Sequence, residues 1–266
     1  MSTPIPVLAI IAEACRVVLE RRNELLRVGL LFLLGTFALD ILAMNYVLPM
    51  LAAATTDAAG EPVMDNRLPG SFLLILITNF LLVSIFSVGW HRLVLLGPEK
   101  AGGGLGVQLG LRELRYFFRL WVCFIGLIMI GGFLSYVDAA IALHIGVSPY
   151  ATLPIAYLGF IPIGAYIIGR LGPSFAAIAL DLPPEMSRSW QATMGNGTRL
   201  MALYLLAGLG WVAVPALLGA LAGLLGLGEL APYALLFISA FVSTALLAVL
   251  VTINALVFRR LTGGPA

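Results

Sequence analysis

Residues 71–92 read SFLLILITNFLLVSIFSVGWHR. No charge interrupts the run before Arg92. At 1.5 Å rise per residue, about 20 helical residues cover the roughly 30 Å hydrocarbon core of a bilayer. The closing Trp90-His91-Arg92, a Trp at headgroup level beside cations, is the pattern of an interfacial anchor. Five further apolar runs of similar or greater length flank this one: Val28–Ala52, Phe117–Leu143, Thr152–Leu180, Met201–Leu227 and Pro232–Val257. With Ser71–Leu95 they predict an all-α polytopic membrane protein, a six-transmembrane-helix bundle.

Composition agrees with the runs. Apolar residues make up 61% of the chain and charged residues 11%, against roughly 25% charged in a soluble domain. Mean hydropathy is +1.05. The longest connections, Ala53–Gly70 and Gly97–Tyr116, are too short for a soluble core of their own. Residues 1–266 therefore read as a single membrane domain.

Charge sets the orientation. Every one of the 15 Lys and Arg residues except Arg67 falls in the N-terminus, the second loop, the fourth loop, the C-terminus or the adjoining part of a span (Arg92, Arg119, Arg170). Basic loops resist translocation, so both termini are expected in the cytoplasm. The net charge of +2 is this topology signal spread over four segments, and no nucleic-acid partner is expected. Cys15 and Cys123 fall on the cytoplasmic side, where thiols stay reduced. Without CxxC or His spacing they frame neither a disulfide nor a metal site. Residues 1–19 lack the layout of a cleavable signal.

Three basic amphipathic stretches precede the odd spans. Pro6–Arg27 sets Glu13, Arg16, Glu20 and Glu24 on one face and Val7, Ile11, Ala14 and Val18 on another. Glu13–Arg16 and Arg16–Glu20 are spaced to pair across one turn. The pattern is read as a helix lying along the cytoplasmic interface, with a partner-docking helix as the alternative. Leu111–Arg119 and Pro184–Arg199 repeat the theme before spans 3 and 5. Each even span ends near an Arg: Arg92, Arg170 and Arg259-Arg260. Three tandem hairpins of similar build are the expectation. The glycine-rich 97–110 lacks a Gly-Lys-Ser/Thr and reads as a linker rather than a phosphate loop.

Few residues inside the spans could carry chemistry. Asp40 lies 12 positions into span 1, past the midplane, where an acid costs about 2.5–3.5 kcal/mol and faces the bundle interior. Asn79, beside Thr78, reaches a similar depth from the other side, so an Asp40–Asn79 hydrogen bond is expected. That pair serves either as interhelical glue or as a proton or cation site. Asp138 and His144 fall near the external surface. With only two histidines, His91 and His144, on opposite faces, no metal centre, cofactor or catalytic triad assembles. Span 4 holds Pro154, Pro162, Gly164, Gly169, Arg170 and Pro173, residues that kink or break membrane helices. Arg170 is placed at the inner interface, snorkelling to phosphates. Trp190 is read as interfacial. Gly219-xxx-Gly223 permits close helix approach, and Asn196-Gly197-Thr198 reads as a turn before span 5.

Gly89-Trp90-His91-Arg92, Arg170-Leu171-Gly172-Pro173 through Ala179-Leu180-Asp181, and Ser187-Arg188-Ser189-Trp190-Gln191-Ala192-Thr193 together resemble bacterial six-span membrane families. These include the membrane domain attached to some glycerophosphoryl diester phosphodiesterases. The resemblance implies a bacterial inner-membrane location and transfers no catalytic residue, since the soluble phosphodiesterase domain is not in this chain. The leading expectation is a non-enzymatic protein that organises membrane lipids, anionic ones above all, or a protein complex. The alternative is a small-solute transporter or channel using Asp40, Asn79 and the fourth span.

Overall fold

A backbone that crosses hydrocarbon must satisfy its polar groups internally, and helices do so within one segment. The computed structural model describes residues 4–47, 49, 68–99, 110–144, 146–183, 185–224 and 231–263. Within them the chain is helical: α1 (Val7–Glu20), α2 (Arg22–Leu42, continued by a π-helical turn Ala43–Val47), α3 (Leu68–Leu96), α4 (Leu111–His144), α5 (Pro149–Ala179), α6 (Met186–Ala192), α7 (Gly197–Leu224) and α8 (Ala231–Thr262). Six of these, α2, α3, α4, α5, α7 and α8, are long and apolar enough to cross a membrane. The acidic loop with Asp57, Glu61 and Asp65, and the linker 100–109, lie outside the described residues.

The six long helices form three hairpins arranged in a ring. The even-numbered spans α3, α5 and α8 all touch one another at the centre. Each odd span sits in the crevice between two of them: α2 on α3 and α8, α4 on α3 and α5, α7 on α5 and α8. The hairpin pattern read from the cation spacing thus recurs in space, with its even strand inward each time.

The best-packed part of the bundle is the basic end, where α1 and the last turns of α8 lie. Val28 and Phe32 of α2 pack there with Phe86, Trp90 and Leu93 of α3 and Val251 of α8. Ile10 and Ala14 of α1 pack with Leu200 and Leu203 of α7 and Ile253 and Leu256 of α8. So α1 lies against the bundle, and its Val18 joins the cluster that holds Trp90. Glu13 does not pair along its own helix; its carboxylate accepts from Arg259 at 3.1 Å and Arg260 at 3.0 Å on the last turn of α8. Cations on a helix's last turn offset its dipole, and here they also fasten α1.

Two expected boundaries shift. Leu111–Arg119 is not a separate interfacial helix but the opening turns of α4. Glu113, at the third helical position, accepts from the Gly110 backbone N–H at 3.0 Å. That is half of a capping box, which starts the helix before the apolar run begins. Span 4 is one uninterrupted helix from Pro149 to Ala179; it starts before the expected Thr152, and its prolines and glycines do not break it.

Candidate functional site

The side chains that sequence reading singles out divide between an enclosed group and an exposed rim, both at the basic end. Trp90 and His91 are enclosed. Both are fully buried, and the Trp90 indole N–H donates to Thr252 Oγ1 of α8 at 2.8 Å. They are therefore core residues rather than headgroup anchors, because α1 and the end of α8 cover the turn where headgroups would otherwise begin. His91 lies edge-on to Tyr116 of α4, with ring centroids 6.1 Å apart.

Arg170 is likewise enclosed, at 6% exposure, instead of reaching for phosphate. Its Nε donates to Thr193 Oγ1 at 2.7 Å and Nη1 to the Tyr166 hydroxyl at 2.8 Å. Nη2 donates to the Trp190 carbonyl. The Trp190 ring covers the guanidinium at 4.1 Å, a cation–π contact. In return Ser189 Oγ donates to the Arg170 carbonyl at 2.8 Å. The short helix α6 is thus held to α5 by the Arg170 side chain, with Ser189 bonding the same residue's carbonyl. Trp190 is itself 38% exposed.

Arg92 belongs to a third cluster. Its Nη1 donates to the Ala179 carbonyl, the last of α5, at 3.1 Å and lies 3.7 Å from Asp181. Arg112, at the start of α4, grips the same carboxylate with two nitrogens, Nε at 2.9 Å and Nη2 at 2.5 Å. Asp181 takes a positive φ of 60° just beyond α5, a conformation Asp tolerates better than most residues. The Arg112 hydrogen bonds, and then the charges of Arg112, Arg92 and Arg115, hold its carboxyl below the usual carboxylate range. A depressed carboxylate stabilises the fold above its ordinary pKa, and that contribution is lost as pH falls through the lowered value. Beside this cluster Arg119 Nη1 lies 3.5 Å from Ser174 Oγ.

The rim remains. Arg16, Arg22, Arg27, Arg115 and Arg199 are exposed around the basic end, and no ion pair reaches them among the described residues. Of the nearby acids, Glu13 and Asp181 bond other arginines and Glu113 its cap, while Glu20 and Glu24 form no ion pair among the described residues. Outside this rim α1 presents Leu8 and Leu19, each more than two-thirds exposed. At 100° per residue these lie opposite the buried Ile10 and Ala14, so the helix carries more apolar surface than the bundle covers.

The structure does not bring Asp40 and Asn79 together. Both are half-buried, and no hydrogen bond joins them among the described residues. Asp138 is half-buried and His144 exposed. Gly219 faces open space rather than a packed neighbour, and the side-chain surroundings of Gly223 lie outside the described residues. Asn196 is buried and its Oδ1 accepts from the Ile5 N–H at 3.1 Å; the turn there also ties down the N-terminal strap. Cys15 and Cys123 are free thiols. Among the described residues no group of three or more His, Cys, Asp or Glu could hold a metal ion.

Sequence reading missed the Tyr204–Asn254 hydrogen bond, which joins α7 to α8 inside the core, and the fit of Gly172 against that pair. An Asn inside an apolar run was the available signal. No protein-family model, curated protein or solved structure matches the chain. The arrangement of its own residues, a tightly packed basic end rimmed by unpaired arginines, is what bears on its role.

Proposed function

We propose that the protein is a non-enzymatic bacterial inner-membrane protein whose basic end, with both termini, faces the cytoplasm and gathers anionic phospholipid. The resemblance to the six-span families and the one-sided distribution of cations support that location. The observation that carries the lipid reading is the rim: five exposed arginines without carboxylate partners, bordered by the uncovered apolar face of α1. Near an anionic leaflet each such cation gains about 1 kcal/mol. An amphipathic helix with exposed leucines adds apolar insertion at the same level. A partner protein would be recruited to the lipid-bound face.

The transport reading draws no support from the packing. Its acid and amide do not pair, and the centre of the basic end is filled by Trp90, Phe86 and Val251.

The test is ligand-linked stability, because a ligand that binds only the folded state raises its melting temperature. Phosphatidylglycerol added to the protein in neutral detergent should raise Tm, whereas phosphatidylcholine should not. Replacing Arg16, Arg22, Arg27, Arg115 and Arg199 together by Gln should abolish the difference while leaving Tm in detergent alone nearly unchanged, since none of the five makes an ion pair. Equal shifts with both lipids in the wild type would refute the reading.

A further inference from the structure

Between α4 and α5, halfway along the spans, lies an open cavity of about 470 Å³. That volume is within the range of ligand pockets, roughly 300–1,000 Å³. Its walls include Phe124, Ile128 and Phe160, Gly131 and Gly132 leave it open, and Ser135 is the one polar side chain among the described lining residues. The cavity opens where protein gives way to bilayer: the most apolar stretch of α4 has none of its residues buried.

The same seam leads down to the basic end. Going along α4, Arg119 meets Ser174 of α5, Leu127 meets Gly164 and Gly131 meets Phe160. At 1.5 Å per residue, Phe124 is about 8 Å above Arg119 and Ser135 about 24 Å above it. One leaflet of hydrocarbon is about 15 Å deep. A chain anchored at Arg119 therefore passes through the cavity to the midplane. Arg115, one turn below on the same face, is exposed. Around it Arg92, Arg112, Arg115 and Arg119 outnumber the acids Asp181 and Glu113, which leaves the foot of the seam positive.

We propose that the α4–α5 cavity holds one acyl chain of an anionic phospholipid from the leaflet at the basic end, with its phosphate at Arg115 and Arg119. This rests on the lipid reading above and narrows it from a rim to a single seat. The rim gathers headgroups loosely; the seam takes a whole molecule, because it joins a cationic foot to an apolar slot of chain width.

The experiment is photolabelling in phosphatidylglycerol–phosphatidylethanolamine vesicles, using a phosphatidylglycerol with a diazirine midway along one chain. Label should concentrate on the peptides carrying Phe124–Ser135 and Phe160. A Cβ at Gly132 meets no protein atom within 4 Å, so Gly132→Phe fills the slot without a clash. It should cut this labelling about tenfold, equivalent to roughly 1.4 kcal/mol of binding. Gly126 is equally open but does not line the cavity, and Gly126→Phe should leave labelling intact. Arg119→Gln should reduce it, and a phosphatidylcholine probe should label weakly. Undiminished labelling in Gly132→Phe overturns the seat, whatever the rim variant does to Tm. Equal labelling by the two probes overturns its selection of an anionic headgroup.

Discussion

Gly172→Ala is expected to destabilise the protein by about 2–3 kcal/mol, the cost of overpacking a buried site and disturbing a buried hydrogen bond. A methyl group on Gly172 would fall inside the van der Waals shells of Asn254 Oδ1 and the Tyr204 hydroxyl. Those two groups bond each other and are nearly fully buried, at 8% exposure each. Neither has room to swing away. The tyrosine is a rigid ring packed with Leu200 and Leu203, and the asparagine lies in a run of buried residues on the central helix α8. The methyl must therefore push α5 away from α7 and α8 or separate the pair. Thermal unfolding in neutral detergent measures the effect, with Gly132→Ala, at an open position on α4, as the control that should change little. A Gly172→Ala protein as stable as the wild type would show that the three helices do not approach this closely.

A larger loss is expected from Arg170→Ala. The side chain supplies all three of its nitrogens to neutral acceptors, Thr193 Oγ1, the Tyr166 hydroxyl and the Trp190 carbonyl. Truncation removes three charge-assisted hydrogen bonds, about 1.5–3 kcal/mol each, although Thr193 Oγ1 keeps its bonds to the Ser189 and Trp190 carbonyls. It also removes the surface on which Trp190 stacks. The expected total is about 3 kcal/mol or more, with α6 loosened from α5, because the side chain bonds Thr193 and the Trp190 carbonyl and carries the Trp190 ring. Protease accessibility between 181 and 196, together with Tm, reads both effects. Arg170→Lys should fall between the two, since a single ammonium keeps the charge but cannot span three acceptors or stack flat on an indole. Wild-type behaviour of Arg170→Lys would mean that charge alone, and not the planar fork, holds α6.

How far the sequence foretells this structure depends on which energy term decides each feature. Span number and length follow from hydrophobic transfer summed over about 20 residues, a signal large enough to survive any local detail. The hairpin arrangement was legible for the same reason: cations are costly in hydrocarbon, so Arg92 and Arg259-Arg260 mark where two of the even spans end, whereas α5 runs on past Arg170 to Ala179. Azimuth was not legible. Asp40 and Asn79 were matched in depth, but a shared depth does not fix the faces that two helices turn to each other. Trp90-His91-Arg92 has the composition of a headgroup anchor, and only tertiary packing, Val18 of α1 in the same cluster, turns the first two residues into core. Arg170 was misplaced similarly. An Arg late in a span ordinarily snorkels, and its enclosure depends on Thr193 and Trp190, some 20 residues on in the chain. The rim arginines were legible as a charge count, but their lack of partners shows only once Glu13 and Asp181 are seen to be engaged elsewhere.

The central claim, that the basic end gathers anionic phospholipid, is tested most directly by weighing the protein with the lipid it retains. Protein released from nanodiscs of equal phosphatidylglycerol and phosphatidylethanolamine into the mass spectrometer should carry mostly phosphatidylglycerol. The variant with Gln at positions 16, 22, 27, 115 and 199 should carry the two lipids in nearly the nanodisc ratio. Retention at the nanodisc ratio by the wild type, or selection of phosphatidylglycerol undiminished in the five-arginine variant, would contradict it.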